Sequence, residues 1–171
     1  MLSIIDKARS ARYTQEEVFN TEFVTTEFVN ATFDRESDLY VIKPDLRRSV
    51  HFDVADALSP ELGERLEAAD IVYAQHFLIH LKRHQAITAF NNICRLLNPR
   101  AALFIAGIEH DMLINLTRRN NLVPLAYKVE EIHKEVGVYG KGWPYVYWGC
   151  EPFLTVRKDW QRRYCTVFLK S

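Results

Sequence analysis

The chain has 171 residues, of which 48% are hydrophobic and 26% are charged, a balance typical of one globular domain with a sizeable core. Its 22 basic and 22 acidic residues cancel, so bulk attraction to nucleic acid or to an anionic membrane is not expected. Three cysteines without a CxxC spacing (Cys94, Cys150 and Cys165) favour a reducing, cytoplasmic setting. The apolar runs are too short to predict a transmembrane helix or a signal peptide, so we expect no membrane insertion.

The first third of the chain predicts helices followed by strands. Residues 2–12 keep helical spacing, and Thr14 followed by acidic residues is typical of the cap of a second short helix. Four phenylalanines between positions 19 and 33 form an aromatic stripe, which we interpret as a helical segment that packs rather than as a cofactor-binding sequence. Residues 38–43 and 49–54 each predict a strand, with a turn at Pro44.

The middle of the chain predicts a strand, a helix and a second strand. After a helix capped at Ser59, the apolar run 69–74 ends in a polar cluster, and a helix-period segment then leads to the apolar run 101–108. This order is typical of one βαβ unit of a parallel sheet. Because ligands of such sheets bind at the carboxyl ends of the strands, residues 75–80 become the candidate site.

The last third predicts one more helix, over residues 111–119, and a terminal strand over residues 163–169. Cys94 lies on the apolar side of the helix before Leu96, which favours packing over reactivity. The aromatic tail from Trp143 to Tyr164 is interpreted as packing over the sheet, with a partner-binding surface as the alternative.

Four segments in this order resemble the chemotaxis receptor methyltransferases of the CheR type, which belong to the class I S-adenosylmethionine-dependent methyltransferases. They are Ile5–Tyr13, Tyr40–Phe52 (YVIKPDLRRSVHF), Asp70–Leu81 and Leu97–Glu109. The resemblance covers residues 1 to about 110. It implies an α/β fold, an incomplete Rossmann-like and mostly parallel sheet with flanking helices, an antiparallel C-terminal strand and a small β-hairpin insert. We expect a single domain over residues 1–171, with the insert at 33–48 as a small β-subdomain.

The resemblance also implies roles for individual residues. Gln75 and His76 stand where the family has an Arg-Asn pair, and His80 stands at its tyrosine, so these three are the candidate catalytic residues. Asp56 and Ala57, together with Gln75, are the candidate cofactor-binding residues. Asp56 either accepts a hydrogen bond from the adenine amine or only caps the turn before the next helix, and both interpretations stay open.

The implied cofactor is S-adenosylmethionine, and the implied substrate is a glutamate of a receptor-like protein. In the family the β-insert touches the receptor, so Arg47 and Arg48 are expected to meet an acidic partner surface. Transfer to a carboxylate requires orientation and a dry site rather than a strong base, because the nucleophile is already ionised at neutral pH. A protonated His80 would pair with that carboxylate.

Several departures from the family pattern qualify this expectation. The glycine-rich loop that cradles the cofactor and the first two strands would precede Met1, and Arg100-Ala101 replaces a Gly-Gly turn. We therefore expect weak or absent cofactor binding, and incomplete or absent catalysis, by this chain alone. The missing strands would also leave unpaired edges, which invites either direct pairing of the two flanking strands or a homodimer.

Two other functions remain open. One is a protein-binding or regulatory module that keeps the methyltransferase scaffold without catalysis. The other is an RNA-type methyltransferase, because residues 75–80, 92–93 and 97–99 are also similar to RNA cap guanine methyltransferases, although the neutral charge and the match of residues 40–52 count against it. His76, His80 and His84 have a spacing that would suit a metal on one helix, but His76 falls at a strand end, so we predict no metal site.

Overall fold

The computed structural model describes residues 4–20, 23–139 and 152–171. The chain divides into two compact units, Met1–Ala55 and Asp56–Ser171. The expectation of a single domain stays a prediction. Within the described residues, no helix is both long enough and apolar enough to cross a membrane.

The first unit forms short helices and a small antiparallel sheet. Its helices are α1 (Ile4–Ser10), α2 (Gln15–Val18), α3 (Thr26–Thr32) and α4 (Pro44–Arg48), and its strands are β1 (Arg12–Thr14), β2 (Phe33–Glu36) and β3 (Leu39–Ile42). The strand order is β1-β3-β2, and both pairings are antiparallel. The β2–β3 hairpin confirms the predicted β-hairpin insert, to which β1 adds a third strand.

Local chemistry explains where these elements begin and end. The Thr14 hydroxyl accepts the Glu17 N–H at 3.2 Å while the Glu17 carboxylate accepts the Thr14 N–H at 2.9 Å, which confirms the predicted cap of α2. Helix α1 ends earlier than predicted because Ala11 adopts a left-handed φ of 56°. The aromatic stripe is not one helix: Phe19 ends α2 and Phe33 begins β2, and both rings contact Tyr40 edge to face.

Two predictions in this unit are wrong. The turn expected at Pro44 is the start of α4, where proline occupies the first helical position without losing a hydrogen bond. Residues 49–54, predicted as a strand, join neither sheet, and Val50 and Val54 remain 51% and 70% exposed. Alternating apolar residues form a strand only where a neighbouring strand takes up their backbone groups.

The second unit contains the larger sheet. Its strands are β4 (Ala69–Gln75), β5 (Leu97–Ala106), β6 (Leu122–Pro124) and β7 (Val167–Lys170). Its helices are α5 (Leu62–Arg65), α6 (Arg83–Arg95), α7 (His110–Arg119), α8 (Val129–Tyr139) and α9 (Trp160–Tyr164), with a 3-10 helix at Leu78–His80. The strand order is β4-β5-β7-β6; β4 and β5 are parallel, and β7 is antiparallel to both of its neighbours. The predicted strand–helix–strand unit and the antiparallel C-terminal strand are confirmed.

The core of this unit lies between one face of the sheet and the helices α6 and α7. Alternate residues of β5, Leu103 and Ile105, are fully buried there against Phe90 of α6 and Leu113 of α7. Cys94 is buried in the same cluster, as its place on the apolar side of α6 predicts.

The C-terminal region differs most from the sequence-based expectation. Strand β6 and most of helix α8 lie where no element was predicted, and His133 of α8 is buried. The terminal strand begins only at Val167, because the residues before it form α9. Tyr164 is buried and its hydroxyl donates to the Pro152 carbonyl at 2.8 Å, so packing is confirmed for this end of the aromatic tail, whereas residues 143–151 lie outside the described residues.

The helix predicted after Ser59 is shorter than expected. The Ser59 hydroxyl accepts the Glu61 N–H at 3.2 Å and so caps a turn rather than the helix itself. Helix α5 spans only Leu62–Arg65, and it contains Gly63, which lowers helical propensity.

Candidate functional site

The carboxyl ends of the parallel strands β4 and β5 lie side by side. Gln75 ends β4 opposite Ala106 of β5, and the His76 N–H donates to the Ala106 carbonyl at 3.0 Å. Both the Gln75 and His76 side chains are exposed. This edge is where ligands bind in open α/β sheets, which agrees with the position predicted from the sequence.

A close backbone contact joins the two strand ends. Gly107, directly after β5, has a φ of 72°, and a Cβ atom built on it would lie 2.7 Å from the Cα of His76. His76 itself has a left-handed φ of 55°. Left-handed backbone at a non-glycine residue is costly and is concentrated at functional sites. The close contact with Gly107 fixes the direction in which the His76 backbone leaves the strand.

His80 follows on the 3-10 helix. The buried side chain of Leu78 anchors this helix to the core, and the His80 N–H donates to the Phe77 carbonyl at 3.1 Å. The His80 side chain remains exposed. The structure therefore brings all three candidate catalytic residues to one stretch at the carboxyl edge.

The three histidines do not share a helix face. His76 follows a strand, His80 ends the 3-10 helix, and His84 belongs to α6, which begins at Arg83. Among the described residues, no group of three or more histidine, cysteine, aspartate or glutamate side chains is arranged to hold a metal ion.

The loop that carries Asp56 and Ala57 is anchored to α6. Asn92, 5% exposed, donates from its side-chain nitrogen to the carbonyls of Ala57 and Ser59, both at 3.0 Å. One Asp56 carboxylate oxygen accepts the Leu58 N–H at 2.9 Å, which is the turn-capping role considered from the sequence. Because Asp56 is exposed and its carboxylate has a second oxygen, Asp56 is able to accept further hydrogen bonds while it caps the turn.

Arg83 and Glu109 were missed as site residues. The guanidinium of Arg83, at the start of α6, donates to the Glu109 carboxylate after β5 at 2.8 Å, and both side chains are mostly exposed. The pair lines a cavity of about 60 Å³ whose other walls are apolar: Leu78, Ile79, Leu81, Ile108 and Met112. Glu109 was visible as the end of the Leu97–Glu109 segment, whereas Arg83 carried no sequence signal.

Arg47 and Arg48 lie on α4 in the first unit. Arg47 donates to the Arg9 carbonyl at 2.7 Å, and Arg48 forms an ion pair with Asp45. Both side chains are exposed. Their role in binding a partner stays a prediction.

The cavity at the strand ends is too small to enclose a nucleoside-sized ligand. Sites for small molecules usually measure about 300–1,000 Å³, whereas the cavity at the strand ends measures about 60 Å³. A larger cavity of about 370 Å³ lies beside α8 and Trp160, away from the parallel strand ends, and charged residues such as Lys128 and Glu131 line it. The carboxyl edge thus supplies polar groups along one side of a site rather than a closed pocket.

The parallel strand pair, the crossover helix and the polar carboxyl edge define an α/β protein, and they are consistent with the class I methyltransferase fold. The family model for the CheR methyltransferase SAM-binding domain matches residues 1–127, and the chain belongs to this family. A comparison with curated proteins finds no match. Family membership places the chain among the S-adenosylmethionine-dependent methyltransferases of the CheR type.

Proposed function

We propose that the carboxyl edge of β4 and β5 takes part in methyl transfer from S-adenosylmethionine to a glutamate carboxylate of a protein. The observation that carries the proposal is the apolar cavity at this edge, with Arg83 at its rim and with Gln75 to His80 on the stretch that leads to it. Family membership supports the cofactor.

The reaction needs little acid–base catalysis. When bound, the cofactor supplies a methyl group that is bonded to a positively charged sulfur. The carboxylate oxygen attacks this methyl group, and the sulfur leaves as a neutral thioether. A glutamate side chain is ionised at neutral pH, since its ordinary pKa is about 4.3. The task of this chain's residues is therefore to bind and orient the carboxylate and to keep water away.

Arg83 is suited to hold the substrate carboxylate. A guanidinium presents a planar set of donors that matches a carboxylate in two-pronged geometry. In the structure this group pairs with Glu109 at an exposed position, where an ion pair is worth only about 0–1 kcal/mol, so a substrate carboxylate can replace it. Leu78 and Met112 would contact the methylene groups of the incoming glutamate.

The remaining candidates would act on either side of the transferred group. Gln75 and His76 would donate hydrogen bonds at the strand end, and His80 would donate a further hydrogen bond to the carboxylate. On the cofactor side, Asp56 would accept from the adenine amine, while Asn92 holds its loop in place. We expect the affinity of this chain alone for the cofactor to be weak.

The test is transfer of a radiolabelled methyl group from S-adenosylmethionine to an acidic acceptor protein. Glutamate methyl esters release methanol in base, so the proposal predicts base-labile label, reduced at least tenfold by Arg83→Gln. The matched control is Arg119→Gln, which removes an exposed arginine of α7. Label that resists base would contradict glutamate as the acceptor.

A protein-binding module without catalysis is the second candidate. The small size of the cavity at the strand ends favours it, because about 60 Å³ does not accommodate a cofactor together with a substrate. A folded chain that captures acidic proteins but transfers no methyl group would support this candidate over the first.

A further inference from the structure

The cavity at the strand ends carries a carboxylate of its own. The Arg83 guanidinium, to which the proposed function gives the substrate carboxylate, donates from Nη1 to the Glu109 carboxylate at 2.8 Å. Among the described residues, Glu109 is the acidic residue that forms an ion pair with Arg83. A glutamate side chain is also the proposed acceptor of the methyl group. In the structure, Arg83 therefore binds the same chemical group that it would hold in a substrate.

The two helices that begin at this ion pair do not depend on it. Arg83 is the first residue of α6, where the Lys82 N–H donates to the Gln85 side chain at 3.1 Å. Glu109 precedes α7, and its backbone carbonyl accepts the Leu113 N–H at 2.9 Å. Because the Glu109 side chain makes no capping hydrogen bond, it can turn away from Arg83 without opening a helix.

The surroundings of the pair keep it exchangeable. The side chains of Arg83 and Glu109 are 61% and 67% exposed, and exposed ion pairs are weak because water and salt screen them. Arg83 is the one cation among the described residues that line the cavity, and those other than Glu109 are apolar. Since one guanidinium neutralises one carboxylate and two carboxylates repel each other, Glu109 and a ligand carboxylate compete for the same positive charge.

We propose that Glu109 is an internal competitor, which occupies Arg83 in the free protein and leaves it when the glutamate of a substrate binds. The inference rests on the proposed function, because it takes Arg83 to be the group that holds the substrate carboxylate. Binding then exchanges one ion pair for another of the same kind. Glu109 thus lowers the affinity of the site for acidic segments without closing it.

The test is the affinity of the full chain for a probe with one carboxylate, N-acetyl-L-glutamic acid α-amide, followed by ¹⁵N amide shifts at constant salt and without cofactor. Glu109→Gln keeps the size of the side chain and removes its charge. We expect this variant to lower the Kd about two- to fivefold, the range that an exposed ion pair accounts for. The uncharged probe N-acetyl-L-glutamine α-amide should bind more weakly than the acidic probe.

Two further variants separate competition at Arg83 from a general effect of charge. The matched control is Glu131→Gln, which removes the same charge from an exposed glutamate paired with Lys128 and should leave the Kd unchanged. In the double variant Arg83→Gln/Glu109→Gln, the gain should disappear, because the group for which the carboxylates compete is gone.

The possible results distinguish this inference from the proposed function. An equal or higher Kd for Glu109→Gln would overturn the inference, because Glu109 would then orient Arg83 or have no part in binding. A gain that persists without Arg83 would overturn both the inference and the role of Arg83 in the proposed function. The predicted changes in Kd in a chain that transfers no base-labile methyl group would support the competition at Arg83 and contradict the proposed function.

Discussion

Gly107 is the residue that allows the ends of β4 and β5 to meet. A side chain at this position would require a left-handed backbone and would press on the Cα of His76 at 2.7 Å. We expect Gly107→Ala to lower the free energy of unfolding by about 2 kcal/mol or more, measured by urea denaturation. Gly63→Ala is the control, because nothing lies within 4 Å of its added Cβ and alanine favours the helix. Equal effects of the two substitutions would contradict the role given to the contact.

Cys94 and Cys165 are inert thiols in the folded protein. Burial raises the pKa of Cys94 to about 12, against an opposing effect of the Lys170 charge, and raises the pKa of Cys165 to about 11. In a Cys150→Ser background, a water-soluble thiol reagent near neutral pH should label neither residue until the chain is unfolded. Rapid labelling of the native protein would show that the core is not packed as described.

The same two thiols make the free energy of unfolding depend on pH. In the unfolded chain a thiol ionises near its ordinary pKa of 9.0, whereas in the folded protein it stays neutral to higher pH. The stabilisation is therefore complete below pH 9.0 and is lost as pH rises toward 11 and 12. Urea midpoints should fall on raising the pH through this range, and fall less in a Cys94→Ala variant; an identical slope in both would contradict the assignment.

At the scale of elements, Asn92 connects helix α6 to the loop of Asp56. Asn92 is buried and its two hydrogen bonds are partly buried, so Asn92→Ala should destabilise the protein by about 1–3 kcal/mol, because two carbonyls lose their partner. Asn98→Ala, which removes an exposed hydrogen bond to Asp70, should change stability by less than about 0.5 kcal/mol. Thermal denaturation compares the two, and a cost for Asn98→Ala as large as that for Asn92→Ala would contradict the argument.

The elements that the sequence predicted correctly are those whose hydrophobic pattern is matched by neighbouring elements in the fold. The unit β4–α6–β5 was predictable because its apolar runs and its helical period are each matched by a packed face. Residues 49–54 show the same alternation but have no place in a sheet, and a pattern alone does not reveal whether a neighbouring strand exists. Helix α8 was missed because its surroundings in the sequence, rich in turn-forming and aromatic residues, concealed its helical period.

The candidate site was predictable to a similar extent. The position of Gln75, His76 and His80 at the carboxyl edge could be predicted because an apolar run marks the end of its strand in the sequence, whereas their roles stay predictions. Arg83 and Glu109 are 26 residues apart and become neighbours only when α6 crosses over the sheet. Their pairing depends on tertiary structure, which the spacing of residues along the sequence does not predict.

In the whole molecule, we propose that the carboxyl edge of β4 and β5 and the loop of Asp56 contribute to one cofactor site. The most direct measurement is a titration of the ¹⁵N-labelled chain with S-adenosylhomocysteine, followed by amide chemical shifts, because this method detects weak binding and locates it. We predict shifts concentrated at residues 56–59, 75–80 and 107–109. Shifts centred on the cavity beside α8, or none from a folded chain at millimolar ligand, would rule out this cofactor site.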